Sequence, residues 1–352
     1  MGKKKQRLNP DEETEPEPNP INGNTDDSHS NKKLKKKKKK KKKNKKIKTN
    51  EIPTVSIAVP ASIIDNVPTL ELATRLASQI ARAAAIFRIN EVVVFDNRSN
   101  TDKDYTAVNN SDDESSSAFL VRILQYLETP QYLRKALFPM HNSLRFVGML
   151  PPLDAPHHLR KHEWGPYREG VTIKERHANS GATLVDVGLF KHVAVDQILE
   201  PGKRVTVAMG ANRNLDSDLP REVVSSSKPR EEGAYWGYQV RYAHNISSVF
   251  NECTYKGGYD CIIGTSEHGQ IIKSSELEIP SFRHLLIAFG GLAGLEESIE
   301  EDDNFKGKNA KEVFNLYLNT CPHQGSRTIR TEEAILISLQ YFQEPISRAM
   351  LG

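Results

Sequence analysis

Arg327 and Arg330 stand three residues apart in the segment CPHQGSRTIRTEEAILISL, residues 321–339, just ahead of an aliphatic run. Guanidinium groups on a short loop suit a phosphate or a carboxylate, because each presents a planar fork of donors. The opposing reading is an ion pair with the nearby acids Glu332 and Glu333. Three more places put small polar residues just after an apolar run: Gly264-Thr265-Ser266 with Glu267, Gly290-Gly291 with Gly294, and Asn319-Thr320-Cys321. Glycine there lets backbone amides approach a ligand closely. The pattern GGxxG is neither the dinucleotide GxGxxG nor a Walker loop, and most glycine turns after strands are only turns. His323 has Cys321 two residues away but no third group to orient it. His141, His157, His158 and His162 lack metal-ligand spacing, so no metal is expected.

In parallel sheets, ligands bind beyond the carboxyl ends of the strands, so these turns matter only where strands lead into them. Apolar runs at 259–267, 283–296 and 313–320 predict such strands. The last run predicts a helix capped by Thr331, with Glu332 and Glu333 at the positive end of its dipole. Ile335, Leu336, Ile337, Leu339 and Phe342 leave it little polar face, which predicts burial against the sheet, and Pro345 should end it. Near the start, Val55, Ile57 and Val59 alternate in a predicted strand. Leu72, Leu76, Ile80, Ala84 and Phe87 then recur at helical spacing after Thr69, a suitable N-cap, and EVVVFD follows as a buried strand. Strand, helix, strand implies an α/β unit with a parallel sheet. Residues 97–117 read as a polar, acidic loop, with helical pattern resuming at 118–127 and 131–137.

Between 151 and 251 no long helical period appears. Short alternating runs at 167–174, 183–189, 192–197, 204–209 and 235–242 predict about five strands, which suits a small barrel of OB-like type. Trp236, Tyr238, Val240 and Tyr242 share one face of the last run. Such a face either stacks single-stranded nucleic acid or is core, and core is the favoured reading.

Residues 1–50 carry 18 Lys/Arg against 7 Asp/Glu, including nine successive lysines at 35–43. The segment is therefore +11, and the remainder must carry −7 to reach the chain's net +4. With almost no aliphatics it cannot build a core. It reads as a disordered arm for a nuclear import receptor and for salt-sensitive contact with RNA phosphates. Cys253, Cys261 and Cys321 form no CxxC pair, which points to a reducing compartment. No apolar leader opens the chain, and the longest apolar stretch is broken by glycines and too short to span a bilayer. A soluble intracellular protein with no membrane partner is expected.

Taken together, Gly264-Thr265-Ser266-Glu267, LIAFGGLAGLE and NTCPHQGSRTIRTEEAILISL resemble the SPOUT class of RNA methyltransferases, specifically its eukaryotic and archaeal branch with an inserted OB-like barrel. The likeness extends over most of residues 51–345, including TLELATRLASQIARAAAIFRINEVVVFD, and QGSRTIRTEEA is its most specific block. The resemblance implies a trefoil-knotted α/β domain, an exception to the usual absence of knots, interrupted by the barrel. Its parts would be the tail at 1–50, the first part of the SPOUT domain at 51–150, the barrel at 151–250 and the knotted part at 251–352.

The same resemblance implies S-adenosylmethionine held bent between the knot walls, and a homodimer with its substrate cleft near the interface. By position, the cofactor contacts fall on Thr265, on Phe289, Gly290, Gly291 and Leu292, on Asn319, Thr320 and Cys321, and on Ser326, Arg327, Thr328 and Ile329. The expected activity is methyl transfer to RNA, ribosomal by expectation, at an acceptor such as uridine N3, in the nucleus and its nucleolus. Arg327 and Arg330 would stabilise an anionic base or position a phosphate, and Glu267 would serve as base. The alternative is a non-catalytic RNA- or chromatin-associated assembly factor that retains the knotted fold. The intact glycines and the QGSRTIRTEEA loop favour the enzyme.

Overall fold

The computed structural model describes residues 52–96, 114–177, 181–215 and 219–351. The Lys-rich arm and most of the acidic loop lie outside them.

The chain begins with β1 (Thr54–Pro60), α1 (Leu70–Ile86) and β2 (Glu91–Phe95). The Thr69 hydroxyl accepts from Leu72 N at 3.3 Å, which caps α1 as expected. Helices α2 (Ser116–Glu128) and α3 (Gln131–Leu137) follow. Next come β3 (Tyr167–Arg176), β4 (Thr183–Asp186), β5 (Val193–Val195), β6 (Arg204–Ala208) and β7 (Glu222–Val224), then α4 (Lys228–Glu231). The chain continues through β8 (Gln239–Ala243), α5 (Ile246–Asn251), β9 (Cys261–Gln270), β10 (His284–Ala288) and α6 (Gly294–Glu300). It ends with α7 (Ala310–Val313), β11 (Leu316–Leu318) and α8 (Thr331–Leu351).

One sheet is parallel, in the order β11-β9-β10-β1-β2-β8. Its central strands β10, β1 and β2 are buried on both faces, as parallel strands covered by helices require. Val55, Ile57 and Val59 pack with α1, α2 and α8, whereas Ala58, Val93, Phe95 and Leu286 pack with α5, α6 and α7. The second sheet is antiparallel, in the order β5-β4-β3-β6-β7. It curls until its edges meet: Arg221 N donates to Ala194 O at 2.8 Å and Asp196 N to Arg221 O at 3.0 Å. Val185, Val187, Val195, Val207 and Met209 fill its inside. No helix among the described residues is long and apolar enough to cross a membrane.

Four of the five runs predicted in the middle of the chain are strands of the curled sheet. The run at 235–242 is not. Its second half becomes β8, which pairs with β2 from Glu91↔Gln239 to Phe95↔Ala243 and so joins the parallel sheet. The fifth place in the curled sheet goes to β7, too short and too exposed to show a pattern. Trp236 and Tyr238 are buried, as the core reading requires: Trp236 Nε1 donates to Glu169 at 2.6 Å and the Tyr238 hydroxyl to Leu124 O at 3.0 Å. The strand predicted at 313–320 is only Leu316–Leu318, because Val313 closes α7.

Helix α8 differs from expectation in three ways. Pro345 lies inside it and does not end it. Proline cannot donate to the carbonyl four residues back, which here is Tyr341 O, and the Ser274 hydroxyl donates to that oxygen at 2.6 Å instead. Thr331 does not cap the helix, since its hydroxyl donates to Gly290 O at 2.8 Å. The Glu333 carboxylate accepts from Arg330 N at 3.0 Å and supplies the cap. Ile335, Leu339 and Phe342 are buried, but Leu336 and Ile337 are exposed.

Candidate active site

The carboxyl ends of β9, β10 and β11 converge where ligands of parallel sheets bind. Thr265, midway along β9 where its pairing with β10 stops, donates from its hydroxyl to Ala288 O at 3.0 Å and so ties β9 to the end of β10. The chain then turns through Gly290-Gly291. A Cβ on Gly290 would sit 2.5 Å from Leu295 N and closer still to the Gly294 carbonyl carbon, so the turn closes on its own backbone. Gly294 takes φ +82°, a conformation that suits glycine. Beyond β11, Asn319 Nδ2 donates to Glu267 O at 2.9 Å, and Asn319 Oδ1 accepts from Cys321 N at 3.0 Å. Thr320 and Ser338 share a hydroxyl–hydroxyl bond of 2.7 Å, which with Thr331–Gly290 fixes α8 to both turns.

These contacts enclose a cavity of about 260 Å³, near the lower end of ordinary ligand pockets. Of the residues singled out in the sequence, Thr265, Glu267, Phe289, Gly290, Gly291, Leu292, Asn319, Thr320, Cys321, Thr328 and Ile329 line it. Ser326 and Arg330 do not, and they line a separate groove between α1, α8 and the loop 321–330. Arg327 lines neither space; its side chain is exposed and makes no ion pair among the described residues. The ion-pair reading holds for its neighbour, because Arg330 Nε reaches Glu332 Oε1 at 2.6 Å.

The cavity also brings in residues that sequence reasoning passed over. Glu296 Oε1 accepts from the Ser266 hydroxyl at 3.0 Å and faces His268 Nδ1 at 3.1 Å, while His268 N donates to Ser266 Oγ at 3.2 Å. Burial alone would raise the Glu296 carboxyl. The Tyr317 hydroxyl nearby, the residue's own amide, His268 and Ser266 together hold it below the usual carboxylate range. That Tyr317 hydroxyl is buried, outside hydrogen-bonding geometry, and pushed far up by burial. In sequence the only signal was a histidine between Glu267 and Gly269, since Glu296 reaches it only once β9 and α6 are side by side.

A parallel sheet with a glycine-walled cavity at its strand ends has the arrangement in which such sheets bind small ligands. The sequence matches a protein family described as "Putative RNA methyltransferase" over residues 54–342. It is 48% identical over 302 residues to a human protein named 28S rRNA (uridine-N(3))-methyltransferase, covering 84% of this chain and 79% of that one. The mouse protein of the same name is 47% identical over 84% of this chain and 77% of its own length. The Drosophila melanogaster protein of that name is 46% identical over 83% and 62%. The chain belongs to this family of RNA methyltransferases, and such an enzyme needs a methyl donor.

Proposed function

We propose that this chain transfers a methyl group from S-adenosylmethionine to N3 of a uridine in large-subunit ribosomal RNA. The observation that carries this reading is the glycine-walled cavity at the strand ends, in a chain 46–48% identical to proteins named 28S rRNA (uridine-N(3))-methyltransferase. The residues fit such a cofactor. Gly290 lets the turn close on the backbone of Gly294 and Leu295, which a Cβ would block, and the lining mixes hydroxyls with the apolar Phe289, Leu292 and Ile329, as a nucleoside with an aliphatic arm needs. When bound, the cofactor supplies an electrophilic methyl group.

The chain's own residues do the remainder. Thr265, residues 289–292, residues 319–321 and Thr328 with Ile329 would hold the nucleoside. Arg327, exposed on the cavity loop and without an ion pair among the described residues, is placed to meet an RNA phosphate or an anionic base. Arg330, engaged by Glu332, is better suited to positioning the loop than to meeting substrate. Glu267 lines the cavity with an exposed carboxylate, placed to take the proton that N3 must lose.

The same reading takes the fold around the cavity as a trefoil-knotted SPOUT domain and the curled sheet as its OB-like insertion. It places a second copy of the chain against the groove lined by α1, α8 and the cavity loop. The Lys-rich arm, through an import receptor, would direct the protein to the nucleus and nucleolus and add phosphate contacts. The test is nucleoside mass spectrometry of ribosomal RNA from cells lacking the protein. N3-methyluridine should disappear from the large subunit and return with the wild-type chain. Unchanged occupancy at every site would remove the catalytic reading and leave the assembly-factor role.

A further inference from the structure

His268 and Glu267 stand together at the mouth of the cavity, with side chains 73% and 60% exposed. His268 is not loosely placed. Its Nδ1 faces Glu296 Oε1 at 3.1 Å, its amide bonds Ser266 Oγ at 3.2 Å, and Ser266 in turn donates to the same Glu296 oxygen at 3.0 Å. Three residues from β9 and α6 thus close a ring that fixes the imidazole. Its other nitrogen, Nε2, is left 3.9 Å from Glu267 Oε1. That separation is too long for a hydrogen bond. Because Nδ1 donates to the Glu296 carboxylate, Nε2 carries a second N–H when the ring is the imidazolium, and in that form the pair presents one N–H donor and one carboxylate acceptor, side by side and accessible.

We propose that His268 and Glu267 are catalytic residues that read the imide edge of the acceptor uracil, and that His268 stabilises the anion formed as N3 loses its proton. This rests on the reading given under Proposed function. A uracil imide presents an N–H donor beside a carbonyl acceptor, which matches a carboxylate beside an N–H. The N3 of cytosine has no proton to give, so the pair disfavours that base by leaving Glu267 facing an acceptor. In the step itself the N3–H bond breaks and the proton passes to Glu267 and on to water. The charge left behind spreads from N3 onto the flanking carbonyl oxygens, and His268 Nε2–H donates to the one beside it. The N3–methyl bond forms as the methyl–sulfur bond of the sulfonium donor breaks, with the electron pair returning to sulfur. Glu296 and Ser266 act through the imidazole and are positioning residues.

The test compares wild type, His268→Ala and His268→Arg as full-length chains. Two quantities are read: turnover on an RNA oligonucleotide spanning the methylated uridine, and binding of that oligonucleotide in the presence of S-adenosylhomocysteine. The binding arm is repeated with 6-azauridine at the target, whose more acidic imide mimics the anion without turnover. Loss of one donor to a developing anion should cost His268→Ala about 10²-fold in kcat, with S-adenosylhomocysteine affinity retained. Wild type should prefer the 6-azauridine RNA by roughly tenfold, the worth of a hydrogen bond to a charged group, and His268→Ala should lose that preference. His268→Arg, which supplies an N–H donor at the site, should recover most of both. The inference is overturned if His268→Ala keeps the 6-azauridine preference, or if its turnover falls only as far as its RNA affinity, which would make His268 a phosphate contact. Absence of N3-methyluridine from the wild-type reaction would remove the uridine reading itself and this inference with it.

Discussion

Gly290 and Gly291 adjoin each other on the cavity wall, yet the structure asks different things of them. Neither is in the left-handed region, so space and not backbone freedom decides. A Cβ on Gly290 meets backbone of Gly294 and Leu295, which cannot move without opening the turn. A Cβ on Gly291 meets the Ser62 hydroxyl at 3.0 Å, the end of a side chain that can rotate away. Gly290→Ala should therefore weaken S-adenosylhomocysteine binding by at least tenfold and cost about 1–3 kcal/mol of stability, as overpacking does. Gly291→Ala should bind nearly as wild type does. Calorimetry and thermal melting of the two variants decide the matter, and equal behaviour would mean that the closed turn does not shape the cavity.

Between elements, a buried polar cluster joins α2 to the curled sheet. Arg204 on β6 spans Glu128 at the end of α2, at 2.6 Å and 3.1 Å, and Glu169 on β3 at 2.7 Å; His157 Nε2 lies 2.9 Å from Glu128. Burial raises the Glu128 carboxyl, but His157 and Arg204 outweigh it and bring it from 4.5 down to about 2. A depressed folded value stabilises the fold above the unfolded value and is lost as pH falls through the folded one. The stability gap between wild type and Glu128→Gln should thus be constant above pH ~5 and shrink by on the order of 3 kcal/mol towards pH ~2. Urea unfolding at stepped pH measures this, and a gap independent of pH would rule out the pairing.

None of this cluster could be read from sequence, because its members come together only through long-range packing. What was legible was local. The alternation of β1, the stripe and cap of α1, and the apolar runs of β9 and β10 announce themselves, and so do the glycines that follow β10; the turn expected at Gly264-Thr265-Ser266 is instead strand, since β9 runs on to Gln270. The strand at Gln239–Ala243 was visible as a strand, but its partner β2 is a long-range choice that alternation does not encode. The persistence of α8 past Pro345 depends on Ser274, far away in sequence. The cavity's wall was therefore legible, and the His268–Glu296 contact was not.

At the scale of the whole molecule, the cavity loop has two sides. Cys321, Gln324 and Ile329 line both the cavity and the larger groove of about 1130 Å³ behind it. The groove exposes Leu72 and Ile86 of α1, Met149, and Leu336 and Ile337 of α8. Contiguous apolar surface of this kind marks an interaction site, and it explains why the stripe of α1 includes an exposed leucine and why α8 is apolar on nearly every side. The proposed second copy of the chain, seated there, would press on the loop that walls the cavity and would couple assembly to cofactor binding. Ile337→Glu should then convert a dimer into a monomer, since an unpaired carboxylate at a closed apolar contact is strongly disfavoured. S-adenosylhomocysteine affinity should fall in the same variant by roughly tenfold, the size of a modest coupling free energy, although Ile337 does not line the cavity. Sedimentation velocity and calorimetry on the same preparations give both answers. A monomeric wild-type protein would remove the groove as an interface, and a monomeric Ile337→Glu with full affinity would show that the loop holds its shape without a partner.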